Sequence, residues 1–218
     1  KNDKIYYLVA GPEPTDFDWN VEKCWKDYII EYDITTETFK YVFVDIYRAN
    51  FKVASVGSST NTDISGDIQL SSSSTNSFTE IRADMLVSGY ISSQTPANYI
   101  KSNEKSDLTV LTYDDTYTSG VIRLYNTSQD LSTTTIYTGT YLNLSAKRIL
   151  NFHKDRYITG MNIIDGMLFW TDNHTEPKKI KIERCISGTG GSVPLPSSLL
   201  SPVFDGDNDL FHTRLCVT

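Results

Sequence analysis

The chain has 218 residues, 27 acidic against 20 basic side chains and a net charge of −7. The isoelectric point is near 4.9. Lacking a basic footprint, it does not read as a protein that grips nucleic acid, although an acidic wall suits a channel through which DNA slides without sticking. Mild acidity also simply maintains solubility. No run reaches the length of a membrane span. The opening KNDKIYYLVAGPEP lacks the charged and apolar regions of a signal peptide. Fourteen tyrosines and a 12% aromatic content suit half-buried strands.

Ile5–Val9 reads as a compact apolar strand, and Gly11–Trp25 as a Pro- and Asp-rich loop carrying Trp19 and Trp25. Tyr28, Ile30, Tyr32 and Ile34 alternate and predict a strand over Tyr28–Ile34. Thr35–Thr38 is a turn and Lys40–Ile46 the next strand, so the three strands form a meander. From Ala49 to about Ile136 Ser, Thr, Asn and Gly dominate, above all over Ser55–Ser77. Low hydrophobicity makes that stretch loop-like. Strand candidates inside it are Asp67–Leu70, Glu80–Ile91, Leu108–Tyr113 and Val121–Tyr125. The choice there lies between a small inserted β domain and a long decorated loop.

The last third is the most telling. Tyr157–Ile164 is rich in β-branched residues and is followed by Asp165-Gly166. Asp-Gly between apolar runs is a strong hairpin signal. Met167–Asp172 is the second strand, Asn173–Pro177 a loop, and Lys178–Arg184 a third strand in which Ile180 and Ile182 alternate with charged residues. Gly188–Pro202 has the composition of a flexible linker, and Phe211–Val217 returns to strand. No segment carries a helical repeat over three or more turns, so helix should be scarce. A lone meander buries its own face poorly and needs neighbours of the same kind. The fold class expected is all-β: propeller-type meander blades over 1–48 and 136–218, a Ser/Thr-rich insertion over 49–135 and a linker over 187–202. The chain lacks an initial Met, enters a strand almost at once and stops on another, so it reads as a segment of a larger protein.

Phe169-Trp170-Thr171-Asp172 is close to the YWTD signature of propeller blades, with Phe169 in place of Tyr. The longer run ITGMNIIDGMLFWTDN…EPKKIKI, supported by Ile5–Asp45, resembles the tail nozzle, or muzzle, proteins of crAss-like podoviruses of gut bacteria. The resemblance covers about half the chain and is specific over Ile158–Ile182. It implies a virion structural protein, a homo-oligomeric and hexameric ring, an axial channel for DNA exit, contacts with other tail and ring proteins, and no enzymatic activity. It implies a structural role for Asp165, Gly166, Phe169, Trp170, Thr171 and Asp172: the aromatic residue packs between blades and the Asp satisfies backbone groups. A virion protein would be made in the reducing bacterial cytoplasm. There Cys24, Cys185 and Cys216, odd in number and widely spaced, would be thiols. The sequons at Asn126, Asn143 and Asn173 then mark only surface loops.

Reactive chemistry finds little support. His153, His174 and His212 have no partner at metal-ligand spacing, and HExxH and GxSxG are absent. Gly188-Thr189-Gly190-Gly191 fails as a phosphate loop because Val193 stands where a third Gly is needed. Asp205, Asp207 and Asp209 have calcium-loop spacing, but Leu210 and Cys216 replace the required Gly and Glu. A solvated turn is the default reading there, with an irregular calcium loop left open. Neither catalytic residues, metal nor cofactor are expected. Lys178, Lys179, Lys181 and Arg184 form the one local basic cluster: a solvated face, or a candidate interface with an acidic neighbouring subunit. The rival function is a host-glycan-binding propeller or tail-fibre module, with Trp19 and Trp25 as sugar-stacking residues beside Asp16, Asp18 and Glu22. A propeller-borne glycosidase is a further alternative that no motif favours.

Overall fold

A computed structural model describes residues 3–11, 24–56, 68–71, 81, 85–91, 98–100, 108–113, 121–126, 138–139, 141–189, 192–193 and 213. The fold is mostly β, with one short helix among the described residues. β1 (Lys4–Val9), β2 (Cys24–Asp33) and β3 (Thr38–Val56) form an antiparallel meander. The β2–β3 turn is tied by the Asp33 carboxylate, which accepts from the backbone N–H groups of Thr35 at 3.0 Å and Thr36 at 3.1 Å. These bonds stabilise the charged form and hold the Asp33 carboxyl below the usual carboxylate range.

β3 is far longer than the expected Lys40–Ile46, with 19 residues. Tyr41 through Tyr47 are all buried, so both faces of the strand are covered. That double burial explains why simple alternation fails as a guide to its length. Trp25 and Cys24 belong to β2 and not to a loop, and Trp25 is buried.

Beyond Ala49 the strand enters a second structure. β4 (Ile68–Leu70), β5 (Leu86–Ile91), β6 (Asn98–Ile100), β7 (Leu108–Tyr113), β8 (Val121–Asn126) and β9 (Tyr141–Ser145) follow in sequence. β3 pairs β4, β4 pairs β8, β8 pairs β7, β7 pairs β5, β5 pairs β9, and β9 returns to β3. Lys52 O and Val53 O accept from Ser71 and Gly139, on the β4 and β9 sides of the strand respectively. The pairing circuit of β3, β4, β8, β7, β5 and β9 therefore closes into a small barrel, with β6 paired to β5. Ala49, Phe51 and Val53, Ile68 and Leu70, and Leu142 and Leu144 alternate along their strands and point into one apolar core. A barrel this narrow is filled by side chains and is not a pore.

β10 (Gly160–Ile164), β11 (Met167–Thr171) and β12 (Lys178–Lys181) make a separate three-stranded sheet. The strand expected over Tyr157–Ile164 is thus shorter. The one expected over Lys178–Arg184 ends at Lys181, and the chain turns into helix α1 (Ile182–Thr189). Ile182, Cys185, Ile186 and Thr189 fall at helical spacing, and the first three pack against the sheet while Glu183 opens the first turn. Gly188 and Thr189 end that helix instead of starting a linker. β13 (Ser192–Val193) then pairs β3 at Lys40 and Phe39. Of the stretch expected to return to strand, Thr213 is described: its N–H donates to Val44 O at 2.9 Å. A second apolar core lies between the two meanders. Ile29, Val42 and Phe43 meet Leu168, Trp170, Leu150, Phe152 and Cys185 there.

Candidate functional site

The Phe-Trp-Thr-Asp motif occupies the central strand β11 of the small sheet. Asp165 and Gly166 both have positive φ, 51° and 73°, the signature of a type I′ turn. Their hairpin sets Ile164 opposite Met167 and fixes the register down to Gly160 opposite Thr171. Leu168 and Trp170 therefore face the inter-sheet core, while Met167, Phe169 and Thr171 point outward, half-buried. Trp170 meets Phe152 edge-on, ring centroids 6.1 Å apart. Its buried indole Nε1 has no hydrogen-bond acceptor, so the residue contributes packing and not polar contact.

Asp172 caps the turn that follows. Its Oδ1 accepts from the N–H of Thr175 at 2.7 Å and of His174 at 2.9 Å, and the Thr175 hydroxyl donates to both oxygens. The Thr175 backbone bond is the largest cause holding this carboxyl well below the usual carboxylate range, against the opposing effect of burial. Lys178 Nζ completes the turn by donating to Thr175 Oγ1 at 3.0 Å and to Leu150 O at 3.1 Å.

Of Lys178, Lys179, Lys181 and Arg184, Lys178 is consequently set apart. Lys178 is half-buried and tied down, Lys179 and Lys181 are exposed, and Arg184 stands on α1. A cleft of about 560 Å³ opens beside them. Phe43, Ile149, Leu150 and Trp170 form its apolar wall, with Lys178 and Lys179 at one side. Such a cleft can hold an apolar group, and among the described residues its lining carries no nucleophile–base pair.

A constellation that sequence reading missed lies behind it. Asp27 and Asp45 are register partners on β2 and β3, both fully buried. Arg148 grips Asp27 bidentately, Nε to Oδ2 at 2.7 Å and Nη2 to Oδ1 at 2.6 Å, and its guanidinium stacks 4.4 Å from the Tyr47 ring centroid. Gly11 and Phe152 N–H groups also donate to Asp27. Ile149 and Leu150 N–H groups donate to Asp45 Oδ2. A side chain at Gly11 would collide with Lys26 O at 2.2 Å. Two carboxylates thus clamp the segment following β9 onto the first meander. Sealed from solvent and engaged by Arg148 and by backbone N–H groups, they fix position and do not touch a substrate. The signal available was an Asp inside each strand, Asp27 beside Lys26 in β2 and Asp45 between Val44 and Ile46 in β3.

The other candidates are dispersed. His153 and His174 carry no metal cluster: among the described residues no group of three or more His, Cys, Asp or Glu is placed to hold an ion. Cys185 is buried on α1, where burial pushes its thiol up despite Arg184 nearby. Of the glycan-stacking set, Trp25 is buried and cannot face a sugar, a correction to its expected loop position. Trp19, Asp16, Asp18 and Glu22 lie outside the described residues, as do Asp205, Asp207, Asp209, His212 and Cys216. Among the described residues no helix is long and apolar enough to cross a membrane. No known family matches the chain, nor does any curated protein or solved structure.

Proposed function

We propose that the chain is a structural element of a short-tailed bacteriophage virion, a wall component of the tail nozzle around the DNA exit channel. The observation that carries this reading is the seating of the motif strand. Trp170 is buried between two packed meanders and Asp172 binds the backbone of its own turn, as the blade signature requires. Meanders stacked face to face are the building units of a β-propeller, and we infer that the two sheets are blades of one. The buried charges Asp27, Asp45 and Arg148 act as clamps between parts of the fold, which supports a structural reading. Because the barrel is filled, the DNA channel of this reading runs along the axis of a ring of subunits, lined in part by acidic surface. The glycan-binding alternative loses Trp25 and has no described residue in its favour.

Electron microscopy of the native source tests the proposal. The expected result is a cyclic, hexameric ring coaxial with a portal and containing this chain. A soluble protein with no virion association would overturn it.

A further inference from the structure

The cleft beside β12 opens next to the inter-sheet core. Phe43 reaches it from β3, Ile149 and Leu150 from the segment after β9, Trp170 from β11 and Ile180 from β12. Protein interiors are close-packed, so an apolar space of about 560 Å³ is room for a ligand. Small-molecule pockets run to about 300–1,000 Å³. Ile149, in the apolar wall, is 49% exposed.

The polar side chains of the lining are donors, and two of them have capacity to spare. Trp170 and Lys178 are cross-strand partners on β11 and β12, so their side chains leave the sheet next to each other on one face. Lys178 Nζ uses two of its three N–H groups, on Leu150 O and Thr175 Oγ1. Among the described residues it forms no ion pair. Asp172, the carboxylate near it, is engaged by the backbone of its own turn. Trp170 is 4% exposed and its Nε1 has no acceptor. A buried donor without an acceptor is rare in native folds. The Thr213 hydroxyl, also in the lining, is by contrast satisfied: it accepts from the Val44 N–H at 2.8 Å and bonds Thr189 Oγ1 at 2.6 Å. Lys179 is exposed and brings a second positive charge to the lining.

We propose that this cleft binds an amphiphile with an aliphatic tail and an anionic head, of the class of the medium-chain carboxylates. The tail displaces water from Phe43, Ile149, Leu150 and Ile180, which supplies the hydrophobic attraction. The carboxylate has two acceptor oxygens, and the adjacent Lys178 ammonium and Trp170 indole have one spare donor each. Lys179 adds to the field that favours an anion. A cationic head would meet Lys178 and Lys179 as like charges. This inference rests on the cleft and does not depend on the virion reading.

Isothermal titration of the whole chain with sodium octanoate, decanoate and dodecanoate, each below its micelle-forming concentration, tests it. One molecule should bind per chain. Affinity should rise about fourfold with each added methylene while the tail still gains apolar wall, and level off once the cleft is full. Decanol, without the charge, and decyltrimethylammonium, with the opposite one, should each bind at least about tenfold more weakly than decanoate. Trp170→Phe removes the N–H and keeps an aromatic ring, so it should weaken decanoate about tenfold and leave decanol unchanged. Lys179→Gln, at an exposed position, should also weaken decanoate and not decanol. Lys178 holds the Thr175 turn, so the variants spare it, and circular dichroism establishes that each is folded. A chain that takes up no decanoate overturns the proposal, and so does decanol binding as tightly as decanoate. Affinity that climbs with tail length without levelling, the mark of adsorption on exposed apolar surface, overturns it too. A chain that binds decanoate but is absent from virions refutes the nozzle reading and leaves this one standing.

Discussion

Inside the barrel Phe51, Val53, Leu142 and Leu144 belong to one apolar core, and the buried Asn50 and Asn143 alternate with them on β3 and β9. Between the two meanders an apolar core of similar make-up is accompanied by two buried carboxylates, a guanidinium and a capped turn. The difference follows from closure. A ladder that returns to its first strand has its strand order fixed by its own hydrogen bonds, so packing alone fills it. Two open sheets can slide over one another, because apolar contact is non-directional. Directed bonds from Arg148, Ile149, Leu150 and Phe152 to Asp27 and Asp45 fix where the second part sits on the first.

The largest effect should come from breaking the clamp. Asp27→Ala strands Arg148 in a buried site and should cost about 3–5 kcal/mol in denaturant unfolding. Pairing it with Arg148→Met should recover a large share of that loss, because an apolar pair removes the uncompensated charge. A double variant no more stable than Asp27→Ala would refute the clamp account. In the barrel, Leu142→Ala should cost about 2–5 kcal/mol through cavity formation. Its cost should not change on acidification, in contrast to that of the Asp172 cap variant.

Smaller effects separate the cap from the turn. Asp172→Ala removes a side chain that satisfies two backbone donors and should cost about 1 kcal/mol. Asp172 also gives the meander an acid-sensitive component. Its carboxyl lies below the ordinary 3.8 when folded, so its contribution is full above that value and is lost as pH falls through it toward the folded value. Stability of the parent chain should thus decline on acidification below about pH 5. Asp172→Asn should show a shallower decline by the same measurement, and equal slopes would remove Asp172 as a cause. Gly166→Ala, at φ 73°, should cost about 1 kcal/mol by forcing a Cβ into left-handed backbone.

The hairpin at Asp165-Gly166 was legible because two residues determine it without help from the rest of the fold. Leu108–Tyr113 and Val121–Asn126 were legible for a like reason, being short apolar runs set in polar surroundings. The barrel they belong to was not. Its strands need an apolar residue only at alternate positions, and Ser, Thr and Asn supply the rest, so composition reads as loop. α1 was hidden by brevity: its apolar spacing lasts two turns and follows directly on a strand of alternating Lys and Ile. The clamp was hidden by distance, since Asp27 and Arg148 are 121 positions apart. Nothing local to either residue announces the other.

That distance also sets a timetable. β3 carries both structures, yet Arg48 finds Ser145 and Asp45 finds Ile149 only after about a hundred further residues have been synthesised. A nascent chain ending before β9 holds an open barrel, and beside it two carboxylates on neighbouring strands repel each other. The arrival of 141–152 shuts the barrel and neutralises that repulsion in one stroke. Neither half can be finished early, and a ribosome stalled before that stretch would release a chain with both halves incomplete.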